Sequence, residues 1–284
     1  MKASELTLAA DGSLYHIRLS SSTLANKVLL VGDPGRVEMF KDIFERVEFE
    51  SQNREMHALT GTYHGTRFTA LSTGMGCDNI DIVMTELDAA LHVENGVWEE
   101  SCERHLQLVR IGTSGSLQVS IDCGSVVASA YAVGLDGLMN YYREWDSPQS
   151  SMEQAFLDHM GLSPRLARPY CVQGSERLLR QVAKNFHHGI TATAPGFYGP
   201  QGRTVRLHPS IDNLNEKLAS FHWDGLKVTN LEMETSAIYG FSHLMGHEAL
   251  TVCLIIANRP RGTFQNDYHP QMRRLVGTIL ELLA

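Results

Sequence analysis

The chain is short of positive charge, of paired cysteines and of long apolar runs, and each shortage removes a class of function. Its 24 Lys and Arg stand against 32 Asp and Glu, a net charge of −8. A general nucleic-acid binder needs a cationic surface to displace counterions from phosphate, so that class is excluded. A small anionic substrate is not excluded, because a local arginine cluster overrides the global field. No apolar run approaches the roughly 20 residues of a membrane helix. The N-terminus, MKASELTLAADGSLYHIRLS, has no apolar stretch after Lys2, so no secretory signal is read there. The 5 cysteines (Cys77, Cys102, Cys123, Cys171 and Cys253) are odd in number, and none sits at CxxC spacing. Neither a disulfide framework nor a cysteine zinc site is expected, and the thiols fit a reducing cytoplasm. Among 13 His there is no HExxH, so no metal centre is expected, and without GK[ST] there is no Walker loop. Internal repeats and low-complexity tracts are also missing.

What is present is an alternation of short apolar runs with helical patterns. KVLLV (27–31), FTALST (68–73), LQLVRI (106–111), GSVVASAY (124–131), 190–194, 227–231 and ALTVCLIIA (249–257) read as buried strands. Segment 79–95 carries Ile80, Val83, Met84, Leu87, Ala90 and Leu91 at spacings of three and four, the stripe of an amphipathic helix. Segments 176–186, 234–245 and 271–283 share that pattern. Segment 56–73, with Thr and Tyr around His64-Gly65, reads as a β-hairpin. The expectation is therefore a single α/β domain over 1–284 with a mixed central sheet flanked by helices. Loops are expected at 95–105, 143–151 and 259–270. In open α/β sheets ligands gather at the carboxyl ends of strands.

Five constellations stand at such ends. Gly32-Asp33-Pro34-Gly35-Arg36 follows the first strand. It is either a tight turn with a surface Arg or an anion site built from backbone N–H groups and a guanidinium. In RIGTSG, Arg110 sits inside an apolar strand. An unpaired guanidinium there is costly, so it needs a protein carboxylate or an anionic ligand. Asn230-Leu231-Glu232-Met233-Glu234 places two carboxylates where a strand passes into a helix, suited to sugar hydroxyls or to capping that helix. Phe197-Tyr198-Gly199-Pro200-Gln201-Gly202-Arg203 offers a donor–acceptor amide and a donor-only fork, which match the edge of a pyrimidine. Asn258-Arg259-Pro260-Arg261 ends the last strand and alone reads as a basic surface loop.

In order, GDPGR, RIGTSG, FYxxQxR, EMExSA and NR resemble the nucleoside phosphorylase superfamily, which includes uridine phosphorylases and hexameric purine nucleoside phosphorylases. The resemblance runs from about Tyr15 to the C-terminus, and the FYxxQxR loop is similar to the uracil-reading loop of uridine phosphorylases. It implies phosphate on Gly32, Arg36, Arg110 and Thr113, completed by Arg54 of a neighbouring subunit. It implies ribose on Met233 and Glu234 with Glu232 nearby, and His16 reaching the 5′-hydroxyl of a neighbour's ligand. Uracil falls to Gln201 and Arg203, with Phe197 against the ring and Arg259 close by. The catalytic set implied is Arg36, Arg110, Glu234 and Arg203. No metal or cofactor is implied, inorganic phosphate being the co-substrate. The partners implied are a homodimer, or a hexamer of dimers, with shared sites.

The implied reaction is reversible phosphorolysis of uridine in pyrimidine salvage, through an oxocarbenium-like sugar. Three other readings share the fold: a purine nucleoside phosphorylase, a nucleosidase and a non-catalytic nucleoside-binding protein. The arginine trio argues against a nucleosidase, which has no use for phosphate. Two segments depart from the family pattern. Segment 95–105 is longer and more charged than a short turn, and GMGCDN (74–79) carries Asp and Asn where relatives have small residues. Some relatives bind a monovalent cation with a Glu at the place of Glu55; the altered neighbours give no ground to assign one here.

Overall fold

The first apolar run seeds the sheet. Lys27–Val31 lies parallel to both Thr66–Ser72 and Gln107–Ser116, and four of its five residues are buried. The computed structural model describes residues 2–94 and 97–284. Within them, 12 strands form one mixed sheet. On one side the hairpin Met56–Tyr63/Thr66–Ser72 carries Arg46–Asn53 as an edge strand. His64 and Gly65 both take positive φ (48° and 72°), the pair a two-residue hairpin turn needs to match strand twist.

On the other side the sheet closes on itself. Gln107–Ser116 pairs in parallel with Glu248–Asn258, which pairs antiparallel with Val126–Gly134. That strand leads through His187–Thr193 to Leu226–Glu232. Asn230 and Leu231 then return to pair antiparallel with Ser116 and Gly115. Five strands thus make a small closed barrel, and several strand ends converge at one mouth.

Helices cover both faces. Cys77–His92 and Thr235–Met245 pack on a core with Leu30, Leu108 and Tyr239. Pro34–Lys41, Glu176–Val182 and His269–Leu283 cover the opposite face around Leu29, Val109 and Val252. Ser150–Met160 and Leu214–Ser220 enclose a third cluster around Phe156 and Phe221. No helix among the described residues is long and apolar enough to cross a membrane.

The expected α/β class and mixed sheet are observed, with informative shifts of boundary. The strand read over 106–111 continues through RIGTSG. Gln107–Ser116 runs ten residues, because its second half gains a partner in Asn230-Leu231 and keeps Ile255–Asn258. The helix read over 176–186 stops at Val182, and its tail turns into the strand His187–Thr193. The 259–270 loop contains a short strand, Thr263–Phe264, folded back on Ala257-Asn258. Of the 95–105 loop, residues 95 and 96 lie outside the described residues; Val93–Glu94 and Val97–Trp98 pair as a two-rung ladder.

Candidate active site

The barrel mouth and the end of Lys27–Val31 open into one cavity of about 920 Å³. Eleven of the thirteen sequence-predicted site residues line it: Gly32, Arg36, Arg110, Thr113, Phe197 and Gln201, together with Arg203, Glu232, Met233, Glu234 and Arg259. His16 and Arg54 do not.

At the floor, Pro34–Lys41 begins directly after Gly32. Asp33 caps it by accepting from Gly35 N (2.8 Å), and Pro34 occupies the first turn. This start turns Arg36 inward, where it is 8% exposed. One guanidinium nitrogen donates to Ile111 O (3.2 Å), and its Nε has no partner. No carboxylate comes within ion-pair distance of Arg36 among the described residues. Burial and the neighbouring Arg110 charge both pull its proton affinity below that of a free guanidinium. A buried cation facing a second cation, in a cavity, is a site waiting for an anion.

Arg110 is settled differently. Its guanidinium bonds Glu234 Oε2 and lies 3.2 Å from Glu232 Oε2. Burial works to deprotonate it, but the two carboxylates outweigh burial and hold it more firmly protonated than usual. Of the two readings of the strand Arg, the protein carboxylate is the one observed, and Arg110 also lines the cavity. Gly112 makes the fold-back possible. A Cβ there would stand 2.2 Å from Arg110 Nη1 and 3.1 Å from Cys253 Sγ. Burial pushes the Cys253 thiol up to about 11, so it stays neutral beside the guanidinium.

The two glutamates divide the work that the sequence left open. Glu232 is the cap. Its oxygens accept from Thr193 Oγ1 (2.7 Å), Glu234 N (3.0 Å) and Thr235 N (3.1 Å), which satisfies the first donors of Thr235–Met245. Glu234 faces across the cavity floor. Gly76 N donates to its Oε1 (2.7 Å), at the N-terminus of the sixteen-residue helix Cys77–His92. Burial pushes the Glu234 carboxyl above its ordinary range, with Arg110 and the Gly76 amide opposing the rise.

The base loop forms the opposite wall. Gln201, 3% exposed, ends a single 3₁₀ turn, Gly199–Gln201. Its Oε1 accepts from Arg203 Nη1 (2.5 Å), which also donates to Phe197 O (2.5 Å). The Arg203 guanidinium lies 3.8 Å from the Phe197 ring centroid, so one ring face is taken by the cation. Burial, then the Arg259 charge, lowers Arg203 to about 10. Arg259 donates to Gln201 O (3.1 Å) and fastens this wall to the Glu248–Asn258 strand.

His16 and Arg54 share another place. Asn53 Nδ2 donates to the carbonyls of Tyr15 (3.0 Å) and His16 (3.1 Å), which brings the N-terminal segment beside the Arg54 turn. His16 Nδ1 lies 2.5 Å from Glu86 Oε1, and Arg54 is exposed at φ 55°. Both stand outside the cavity of their own chain.

Sequence reading noted Glu55 and the 74–79 segment without assigning them to the site and passed over Thr263 and Phe264; Glu55, Gly74, Met75, Asn79, Thr263 and Phe264 all line the cavity. The signal for the GMG segment was two glycines one residue apart after a strand. Gly74 and Gly76 both require positive φ (69° and 95°). Phe264 carried no signal, since nothing local shows that 263–264 folds back over the mouth. One His/Glu group with metal-ligand spacing exists among the described residues, Glu38, Glu50 and His57. It is outside the cavity lining, and Lys41 Nζ already bridges its carboxylates at 2.9 and 2.6 Å.

The profile of the Phosphorylase superfamily matches residues 26–283. A Trypanosoma brucei nucleoside phosphorylase, whose crystal structure is described as showing uridine phosphorylase activity, superposes with a TM-score of 0.88 at 30% identity, over 98% of this chain and 99% of that one. A uridine phosphorylase of Thermococcus kodakarensis is 28% identical over 277 residues, 96% of this chain and 88% of the relative. A DeoD-type purine nucleoside phosphorylase of Alkaliphilus metalliredigens is 28% identical over 242 residues, 84% of this chain and 85% of the relative.

Proposed function

The chain belongs to the Phosphorylase superfamily, and from that premise we propose that its cavity carries out the reversible phosphorolysis of uridine to uracil and ribose 1-phosphate. The observation that carries the reading is the pairing of two groups in one cavity: a carboxylate-free, buried Arg36 at the floor and, on the wall, a buried Gln201 bonded to a half-buried Arg203.

Phosphate sits on the Gly32 backbone, Arg36, Arg110 and Thr113. One of its oxygens attacks C1′ from the face opposite the base, and the C–N bond breaks toward the base. Positioning and charge stabilisation supply most of the catalysis. Glu234 accepts from the ribose hydroxyls beside Met233, and its negative charge favours the cationic sugar. The bonding electrons pass to uracil, whose charge spreads over its carbonyl oxygens and meets Arg203. Gln201 Oε1 keeps a second lone pair for uracil N3–H, and Nε2 donates to a carbonyl. The departed uracil anion takes its proton from water. Function in the cytoplasm, without metal or organic cofactor, is part of this reading.

A purine reading needs an acid near the base's N7. Beside Arg259 this chain has Asn258, an amide and not an acid, and it is committed: its Nδ2 donates to Gln118 O (3.0 Å) and Ile121 O (2.9 Å), and its Oδ1 accepts from Arg261 N (3.0 Å). Release of free base from uridine and from inosine, each with and without phosphate, tests the proposal. Phosphate-dependent uracil release supports it. Preference for inosine, or release without phosphate, rejects it.

Gly112→Ala is expected to push Arg110 off its two carboxylates. Phosphate KM should rise roughly tenfold, about 1.4 kcal/mol, while the fold survives in circular dichroism; an unchanged KM would detach Arg110 from phosphate.

The placement of His16 and Arg54 supports a homo-oligomer in which each completes a neighbour's site. A His16→Ala/Arg54→Ala chain and a Glu234→Ala chain, each inactive alone, should regain activity when co-refolded, through hybrid sites. Full activity in a species that light scattering shows to be monomeric would refute sharing.

A further inference from the structure

A second cavity, of about 880 Å³, lies against the same loop and shares Tyr198, Gly199, Pro200 and Arg203 with it. Its body is apolar, with Leu135, Leu162, Leu166, Pro195, Ile211 and Leu214 among its lining residues. At its edge Val205 and Leu207 are 78% and 80% exposed, unusual for aliphatic side chains unless something covers them.

Three arginines and one acid stand among its lining residues. Arg165, Arg206 and His208 line it, with Arg203 at the shared wall. Arg168 and Arg180 nearby in sequence pair with Glu153 and Glu176. No carboxylate comes within ion-pair distance of Arg165, Arg206 or His208 among the described residues. The one acid in the lining, Asp136, pairs with none of these arginines; it accepts from Tyr170 OH (2.9 Å), Ser236 Oγ (2.9 Å) and Leu138 N (2.8 Å). In a chain with eight more acids than bases, two solvent-exposed arginines without a carboxylate partner give this apolar hollow a locally positive rim.

We propose that this cavity is a second ligand site for an amphipathic anion, an aromatic or acyl body ending in one carboxylate, sulfonate or phosphate. The apolar walls and the exposed Val205 and Leu207 take the body. Arg165 and Arg206 take the head, as guanidinium forks do with oxyanions. A free nucleoside does not suit it. The lining offers no buried amide to read a base, since Gln201 faces the other cavity.

The test uses two fluorescent probes of one apolar skeleton: 1-anilinonaphthalene-8-sulfonate and the uncharged N-phenyl-1-naphthylamine. Titrated into the native full-length oligomer, the sulfonate should bind once per protomer and at least tenfold tighter than the neutral probe. Arg165→Ser and Arg206→Ser should each weaken the sulfonate several-fold, leave the neutral probe unchanged and leave uridine turnover unchanged. Uracil with phosphate, which fills the catalytic cavity on the proposed reading, should displace neither probe. The variant arm does not depend on that reading, so the two fail separately. Equal affinities for the two probes, or sulfonate binding that ignores both substitutions, would overturn the proposal. So would absence of binding in the native oligomer, the result expected if a second copy of the chain fills the groove.

Discussion

Arg110→Ala should lose both function and stability, whereas Arg36→Met should lose function alone. Arg110 is the shared counter-ion of two buried carboxylates, Glu232 and Glu234. Removing it leaves them facing each other without a cation, and breaking a buried pair from one side costs about 3–5 kcal/mol. The lost charge-assisted contact to phosphate costs about 1.5–3 kcal/mol more in binding, roughly ten- to a hundredfold in kcat/KM. The pH dependence follows from Glu234. Its carboxyl already lies above the ordinary range because of burial, with Arg110 opposing the rise. Without Arg110 it rises further. A raised carboxyl favours the folded state when protonated and penalises it once ionised. The stability deficit of Arg110→Ala should therefore be largest at neutral pH and shrink as pH falls toward about 4.5, the ordinary range of a glutamate. Arg36 has no carboxylate to abandon and is itself buried beside a like charge. Arg36→Met should hold or raise the melting temperature of the unliganded protein while weakening phosphate by a similar factor. Thermal melts between about pH 5 and pH 8, with and without phosphate, decide both. Identical melting behaviour of the two variants would contradict the division of roles, and so would wild-type phosphate dependence in a folded Arg110→Ala protein.

That contrast also shows what the sequence made legible and what it did not. An Arg inside LQLVRI announces that an anion must be near, because the strand's apolar neighbours put it in the interior. It does not say which anion. Glu232 and Glu234 lie more than a hundred positions away, and only closure of the barrel through Asn230-Leu231 brings them to it. For the same reason the strand was read only as far as Ile111. Gly-rich composition implies a turn until a partner strand is known, and the partner pairs through non-local contacts. The hairpin at His64-Gly65 was legible because its signal is local, two residues that tolerate positive φ between alternating runs. The edge strand Arg46–Asn53 was not: it is mostly exposed, so its polar sequence carries no burial pattern. Phe197 was placed against the substrate through the family resemblance. Its partner in the fold is Arg203, six residues on, which the spacing permitted but did not require. His16 and Arg54 could be read only through family resemblance, since nothing in either local sequence points beyond its own chain.

Gln201→Leu should reduce kcat/KM for uridine by roughly two orders of magnitude, about 2.7 kcal/mol, and Arg203→Leu by at least as much. The amide is buried and already gives its Oε1 to Arg203, so the pair acts as one reader. With leucine at 201 the Arg203 guanidinium keeps Phe197 and its carbonyl but loses the acceptor that fixes its second contact. Uracil N3–H and a carbonyl are then left without their partners on this wall. A site built to hydrogen-bond its substrate rejects whatever leaves those groups unpaired, and by larger factors than apolar packing achieves. The same reasoning sets the order of bases. Cytosine replaces a carbonyl with an amino group and turns a donor toward the Arg203 donors, so cytidine should be a poor substrate. Inosine should be poor too, since the residue beside Arg259 is an amide and not an acid, committed to Gln118, Ile121 and Arg261. Arg203→Leu loses more than recognition. At about 10 its guanidinium is still protonated at neutral pH, and it is the charge that meets the leaving uracil. Its defect should fall on kcat, while Gln201→Leu divides between KM and kcat. Steady-state kinetics of both variants on uridine, cytidine and inosine separate these outcomes. An intact uridine rate in Gln201→Leu, or inosine as the better substrate of the unmodified protein, would show that this wall does not read the base.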